Sequence, residues 1–201
     1  MKKLSTNPPV QCQCNAGPAR TSHINRQCGI APLHCVSSRA MSRMQTITPM
    51  LWFDNQVEEA ANFYVLVFKN SKVKQITHYA GEEFPEKKGQ VMTVSFELNG
   101  QEFTALNGGP DFKFTEAVSF VINCDTQEEI DYYWEKLTAG GGKEVECGWV
   151  ADKYGLSRQV TPAKFFAEWV KDPAGLQRVT HEVWQMKKLD LAKLEKAFAA
   201  K

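Results

Sequence analysis

One short pattern occurs twice in this chain, about seventy residues apart, and it constrains the fold more than any other feature. The first copy is Ile47-Thr-Pro-Met-Leu-Trp-Phe-Asp-Asn55, followed by Glu58-Glu59-Ala-Ala-Asn-Phe63-Tyr64. The second is Val118-Ser-Phe-Val-Ile-Asn-Cys-Asp125, followed by Glu128-Glu129-Ile-Asp-Tyr-Tyr133-Trp134. Each reads as an apolar strand, a turn, an acidic first helical turn and an aromatic pair on the helix. An internal repeat dictates architecture, because each copy must bury the same face in the same way. The repeat predicts an α+β fold of two βαβββ modules whose strands make a cup-like, curved mixed sheet around a shared pocket. Aligning the Glu-Glu pairs sets Met50 and Trp52 against the first helix as Phe120 and Ile122 lie against the second.

Between the repeats the punctuation is clear. Val57–Phe68 carries Ala60, Ala61, Tyr64, Val65 and Phe68 at helical spacing, with Asp54-Asn55 as a cap and Glu58 and Glu59 at the positive end of the dipole. Val91–Leu98 alternates Met92, Val94, Phe96 and Leu98 against Thr93, Ser95 and Glu97, and Asn99-Gly100 is a strong hairpin turn. The second unit follows as Val118–Asn123, a helix over Thr126–Thr138 and two returning strands around Tyr154-Gly155. The modules are placed at about residues 46–112 and 117–162 of a domain spanning 45–188. C-terminal helices complete the chain, the last in residues 189–201 and capped by Asp190. Trp169, Val183 and Trp184 are too apolar to stand free, so the tail is expected to cover the body or a partner subunit, and unless it folds back a homodimer is expected.

Charge separates the ends of the chain. The first 44 residues hold six Lys and Arg and no Asp or Glu, so the remainder is left with 18 basic and 23 acidic residues. An acidic body argues against nucleic acid as a partner. No apolar run approaches the ~20 residues of a membrane span. The leader also holds Cys12, Cys14, Cys28 and Cys35 without paired metal-ligand spacing. It reads as a disordered basic extension containing Cys and Pro. The body keeps only Cys124 and Cys147, which suits a reducing, cytoplasmic setting.

These motifs resemble the vicinal oxygen chelate superfamily of glyoxalases, bleomycin-resistance proteins and dioxygenases, and within it the PhnB-like group. The resemblance runs from about Thr46 to Lys188. It is carried by the first repeat, by Phe103-Thr-Ala-Leu-Asn-Gly-Gly-Pro110, by Phe112-Lys-Phe-Thr-Glu-Ala117 and by Cys147-Gly-Trp149 with Asp152-Lys-Tyr-Gly155. Many such proteins carry the label 3-demethylubiquinone-9 3-methyltransferase. The chain gives the label no support, for no Gly-rich strand-to-helix loop is present to hold a methyl donor. Arg158 stands where the group usually has tryptophan, and strand alternation assigns it to the outer surface.

The resemblance implies four ligand positions, at Pro49 and Asn107 in the first module and Ser119 and Gln159 in the second. Superfamily enzymes put His, Gln or Glu there around a divalent ion. Proline has no donor side chain, and amide and hydroxyl oxygens are weak transition-metal ligands. The expectation is a pocket without metal or other cofactor that binds a small polar organic molecule through Asn107, Ser119 and Gln159, bounded by Pro49, Phe53, Glu97 and Trp149. Catalytic residues are not identified: Glu97 reads as a solvated strand carboxylate beside a hairpin, and as a general base or a grip for a cationic ligand only if its face lines the concave sheet. The alternative is a metal-dependent lyase, isomerase or dioxygenase of the same superfamily. Cys124 reads as a small core residue and Cys147 lacks a basic neighbour to activate it.

Overall fold

Both predicted modules are present in the computed structural model of the chain, which describes residues 46–200. The extension over residues 1–44 lies outside the described residues. The first module runs β1 (Met50–Phe53), α1 (Val57–Val67), β2 (Lys72–His78), β3 (Val91–Leu98) and β4 (Gln101–Asn107). The second runs β5 (Phe120–Cys124), α2 (Gln127–Thr138), β6 (Lys143–Glu144), β7 (Trp149–Ala151) and β8 (Ser157–Pro162). Their sheets are ordered β1-β4-β3-β2 and β5-β8-β7-β6. In each, the first strand lies parallel to the last and the other pairings are antiparallel. Asn99 and Gly100 both adopt positive φ in the β3–β4 turn, as a tight hairpin requires.

Each helix covers one face of its own sheet. Val57, Ala60, Ala61, Tyr64 and Val67 form the buried stripe of α1, and Ile130, Trp134 and Leu137 that of α2. Against α1 lie Leu51, Phe53, Val94, Phe96, Phe103 and Ala105. Met50, 63% exposed, and the half-buried Trp52 face the other way, contrary to the repeat alignment. The reason is one residue. Buried helix positions repeat with an offset of 70 (Tyr64 and Trp134), but buried strand positions repeat with 71 (Leu51 and Ile122, Phe53 and Cys124). The turn into α1, Asp54-Asn55-Gln56, is one residue longer than Asp125-Thr126 before α2. A slip of one residue inverts every side chain of a strand.

The helix entrances also differ. In α2 the Thr126 hydroxyl accepts from the Glu129 amide, and the Glu129 carboxylate accepts from the Asp125 amide, a reciprocal cap. The cap predicted for α1 at Asp54-Asn55 is not used. Gln56 occupies the cap position with no side-chain bond into the helix, and the Val57 amide donates instead to Asn107 Oδ1 at the end of β4 (2.9 Å).

The modules interlock through their hairpin tips. Leu156, from the β7–β8 turn, belongs to the core over α1, and Phe103 of β4 meets Phe120 of β5 edge-on at 5.2 Å. The Tyr132 hydroxyl of α2 donates to the Val67 carbonyl at the end of α1. After β8 come α3 (Lys164–Ala167), α4 (Pro173–Val183) and α5 (Leu191–Ala199). Asp172 and Asp190 cap α4 and α5, as their sequence contexts predict. Trp169, Val179, Leu189 and Leu194 bury one another, so most of the apolar tail is satisfied within the chain. Trp184 remains 69% exposed.

Candidate functional site

Two of the four predicted ligand positions come together. β5 and β8 pair in parallel with Val121 opposite Gln159, so Ser119 and Gln159 project from the sheet face that α2 leaves open. Gln159 Nε2 donates to the Ser119 hydroxyl at 2.8 Å, and both residues are half-buried. Trp149 stands directly across from Gln159 on β7, on the same face. The Gln159 carbonyl oxygen and the Ser119 hydroxyl hydrogen keep free hydrogen-bonding capacity beside an indole, an arrangement that suits a small molecule with polar and flat parts.

The first-module positions fall elsewhere. Pro49 precedes β1 and uses its carbonyl to accept the Thr104 amide. Asn107 projects toward α1. Its Oδ1 holds the Val57 amide and its Nδ2 donates to the Val91 carbonyl (3.0 Å), so both ends of the side chain are bonded to backbone. Phe53 is buried beneath α1 with Phe114 and Tyr154 edge-on to its ring. Glu97 lies on the open face of the first sheet, 3.8 Å from Lys72 Nζ. The strand ladder identifies the residue that the repeat alignment missed. Gln159 pairs with Val121, and the counterpart of Val121 at the strand offset is Met50, whose partner is Thr104. Thr104 therefore matches Gln159, on the open face of the first sheet. Its hydroxyl lies 3.5 Å from that of Ser95, and Thr93 and Thr77 bond at 2.7 Å on the same sheet. Pairing order is invisible to helix alignment, and the hydroxyl alternation Thr93, Ser95 was its only trace in sequence.

Arg158 is not on the outer surface. It shares its sheet face with Val150 and Phe120, toward the helices, and is only 2% exposed. Its guanidinium carbon lies 4.8 Å from the Tyr64 ring centre, 5.4 Å from Phe120 and 5.6 Å from Phe68. Asp152, equally buried, approaches Nη2 at 3.7 Å, beyond hydrogen-bond reach. Asp152 is already served by other donors: the Tyr64 hydroxyl at 2.8 Å on Oδ2, and the Tyr154 and Leu156 amides at 3.0 Å on Oδ1. Burial, reinforced by the Asp152 charge, holds the Tyr64 hydroxyl protonated well above the usual tyrosine range. Nearby, Tyr154 donates to Glu59, and burial followed by that bond pushes its hydroxyl up to about 12.

Cys124 is buried under α2, and desolvation, then the charges of Glu129 and Asp125, pushes its thiol up to about 12, where it is a poor nucleophile. Among the described residues no three His, Cys, Asp or Glu side chains are grouped to hold a metal ion, and no helix is long and apolar enough to cross a membrane. On the open face of the second sheet Ser119 and Gln159 offer only amide and hydroxyl groups, a poor match to a transition metal, and the carboxylates on the open face of the first sheet, Glu97 and Glu102, lie against Lys72 and Lys74.

Comparison with known proteins agrees with this architecture. A family profile described as 3-demethylubiquinone-9 3-methyltransferase matches residues 45–161, more than half of the chain. Among solved structures, a PhnB protein from Bacillus cereus, provisionally given the same methyltransferase name, is 39% identical. The alignment covers 59% of this chain and 100% of that one, with a TM-score of 0.54. Protein PA1353 from Pseudomonas aeruginosa is 17% identical, over 56% of this chain and 92% of that one, with a TM-score of 0.47. The fosfomycin resistance protein FosX from Listeria monocytogenes is 15% identical, over 58% and 91%, with a TM-score of 0.40. None of the curated proteins matches.

Proposed function

We propose, from the premise that this chain belongs to the PhnB-like family described as 3-demethylubiquinone-9 3-methyltransferase and has the two-module fold of the vicinal oxygen chelate superfamily, that it binds a small polar organic molecule without a metal ion. The observation that carries this reading is the Ser119–Gln159 hydrogen bond on an open sheet face beside Trp149. The pair presents one acceptor and one donor in a half-buried setting, where each hydrogen bond to a ligand contributes more than it would in water. Thr104 and Ser95 extend the same chemistry on the first sheet. The methyl transfer in the family description has no counterpart in these residues. Both strand-to-helix turns, Asp54-Asn55-Gln56 and Asp125-Thr126, lack the glycines that let a backbone approach a nucleotide-type cofactor.

Pairing of two chains completes the proposal. Met50, at the start of β1, and Val118, two residues before β5, are exposed apolar residues beside the sheet edges, and a partner chain would cover them and close the open faces. Native mass spectrometry of the protein as purified, with metal analysis of the same sample, tests the reading. The expected result is a dimer carrying a non-covalent organic adduct and far less than one equivalent of metal. Gln159→Ala and Ser119→Ala should each weaken retention of the adduct by roughly 1–3 kcal/mol. Stoichiometric zinc, nickel or iron that disappears in Gln159→Ala would instead establish the metal-dependent enzyme.

A further inference from the structure

Arg158 is a charge without an adequate partner. A buried guanidinium normally directs its N–H groups to carboxylates or carbonyls, because an unpaired one has given up its solvation for nothing. Here Nε and Nη2 are inaccessible to water and make no hydrogen bond among the described residues. The rings of Tyr64, Phe68 and Phe120 stabilise the positive charge but accept no strong hydrogen bond. Asp152 stands too far off and is occupied by three other donors.

A cavity of about 310 Å³ adjoins this side chain, where the β3–β4 hairpin tip approaches β5. Its walls are chiefly Phe68, Phe103, Phe120 and Tyr133, with Asn123 among the polar lining groups and no Asp or Glu. The volume is at the small end of the ~300–1,000 Å³ typical of ligand sites. We propose that this cavity is an anion subsite, in which Arg158 receives the carboxylate of a small molecule whose flat apolar body lies among the aromatic rings. A carboxylate carries one charge, so a single arginine neutralises it, and it reaches Nε and Nη2, closed to water without it, only as the neighbouring Phe68 and Phe120 rings move aside. A phosphate dianion would bury an excess charge between aromatic walls. The cavity lies at the edge strand β5: Arg158 and Phe120 reach it from the helix side, Val121 and Asn123 from the face that carries Ser119 and Gln159, and neither Ser119 nor Gln159 lines it.

The test titrates the full chain with benzoate, benzamide and inorganic phosphate, following affinity by calorimetry and the ¹⁵N Nε–Hε resonance of Arg158, assigned by its loss in Arg158→Lys. Benzoate should move that resonance saturably and bind at least about tenfold more tightly than benzamide, the cost of a charge-assisted hydrogen bond. Phosphate should leave it in place. Val121→Trp fills part of the cavity without altering the guanidinium. That variant should keep the resonance and weaken benzoate by about tenfold or more, and it keeps the test decisive if Arg158→Lys does not fold. Equal affinity for benzoate and benzamide, a resonance unmoved by benzoate, a shift by phosphate as large as that by benzoate, or full benzoate affinity in Val121→Trp would each overturn the proposal.

Discussion

Tyr64 of α1 donates its hydroxyl hydrogen to Asp152 of the β7–β8 turn at 2.8 Å, joining the two modules through side chains 88 residues apart. Both residues are withdrawn from water, so this bond cannot be exchanged for one to solvent without opening the module interface. Tyr64→Phe removes the donor and leaves Asp152 with its two backbone donors. The expected loss is about 1–3 kcal/mol, seen as a lower urea midpoint with an unchanged slope. Asp152→Ala removes the only counter-charge that faces Arg158 among the described residues and should cost more, about 3–5 kcal/mol. Equal losses in the two variants would show that the carboxylate does nothing for the arginine.

The same buried hydroxyl makes stability sensitive to alkali. In the unfolded chain tyrosine ionises near ~10. In the native state Tyr64 is held well above that range by burial and by Asp152, and Tyr154 is raised to about 12. Between these values the unfolded chain releases protons that the native chain retains, so ν_U is smaller than ν_N and the unfolding free energy falls as pH rises. The stability linked to these groups is complete below about pH 10 and declines as pH rises toward 12. Urea midpoints at pH 8, 10 and 11.5 should drop over the last interval, and Tyr64→Phe should flatten the drop. A midpoint independent of pH across that interval would show that neither hydroxyl is protected.

The architecture is legible because the repeat marks both helices and both leading strands, and because Asn99-Gly100 fixes the β3–β4 hairpin. Side-chain direction is not. Helix faces follow the Glu-Glu alignment, but the extra residue before α1 shifts β1 by one and turns Leu51 and Phe53 inward in place of Met50 and Trp52. Nor does helix alignment say which β4 residue answers to Gln159: the strand ladder puts Thr104 there, three residues before Asn107 and on the opposite face. Ser119 and Gln159 do share one face and meet. Arg158 departs from expectation for another reason. Charge suggests exposure, and only the three-dimensional meeting of Tyr64, Phe68, Phe120 and Asp152 supplies an interior that tolerates it.

Asn107 fastens one helix to its sheet, and substitution measures how strongly. It joins the end of β4 to the first turn of α1 and to β3 through Oδ1 and Nδ2. Asn107→Ala orphans the Val57 amide and the Val91 carbonyl together, and should destabilise by about 1–2 kcal/mol. Asn107→Asp keeps an acceptor at the positive end of the helix dipole and loses only the donor to Val91, so it should fall between wild type and alanine. An aspartate variant less stable than the alanine variant would show that the donor, not the cap, dominates.

The sharpest packing test is Gly108, directly after β4. A Cβ there would stand 2.2 Å from Cζ2 of the Trp52 ring, well inside contact distance. The ring has little room to yield: its Nε1 donates to the Gly109 carbonyl at 2.8 Å, and Phe112 packs edge-on at 4.9 Å. Gly108 also donates its own amide to the Phe53 carbonyl, so the backbone is fixed from the other side. Gly108→Ala should therefore force the indole out of place and destabilise by about 1–3 kcal/mol, the usual range for overpacking. Trp52→Phe in the same background removes the part of the ring that clashes and should restore much of that loss. If Gly108→Ala is neutral, or if Trp52→Phe adds its own cost without rescue, the close approach of Trp52 to this glycine does not hold the loop in place.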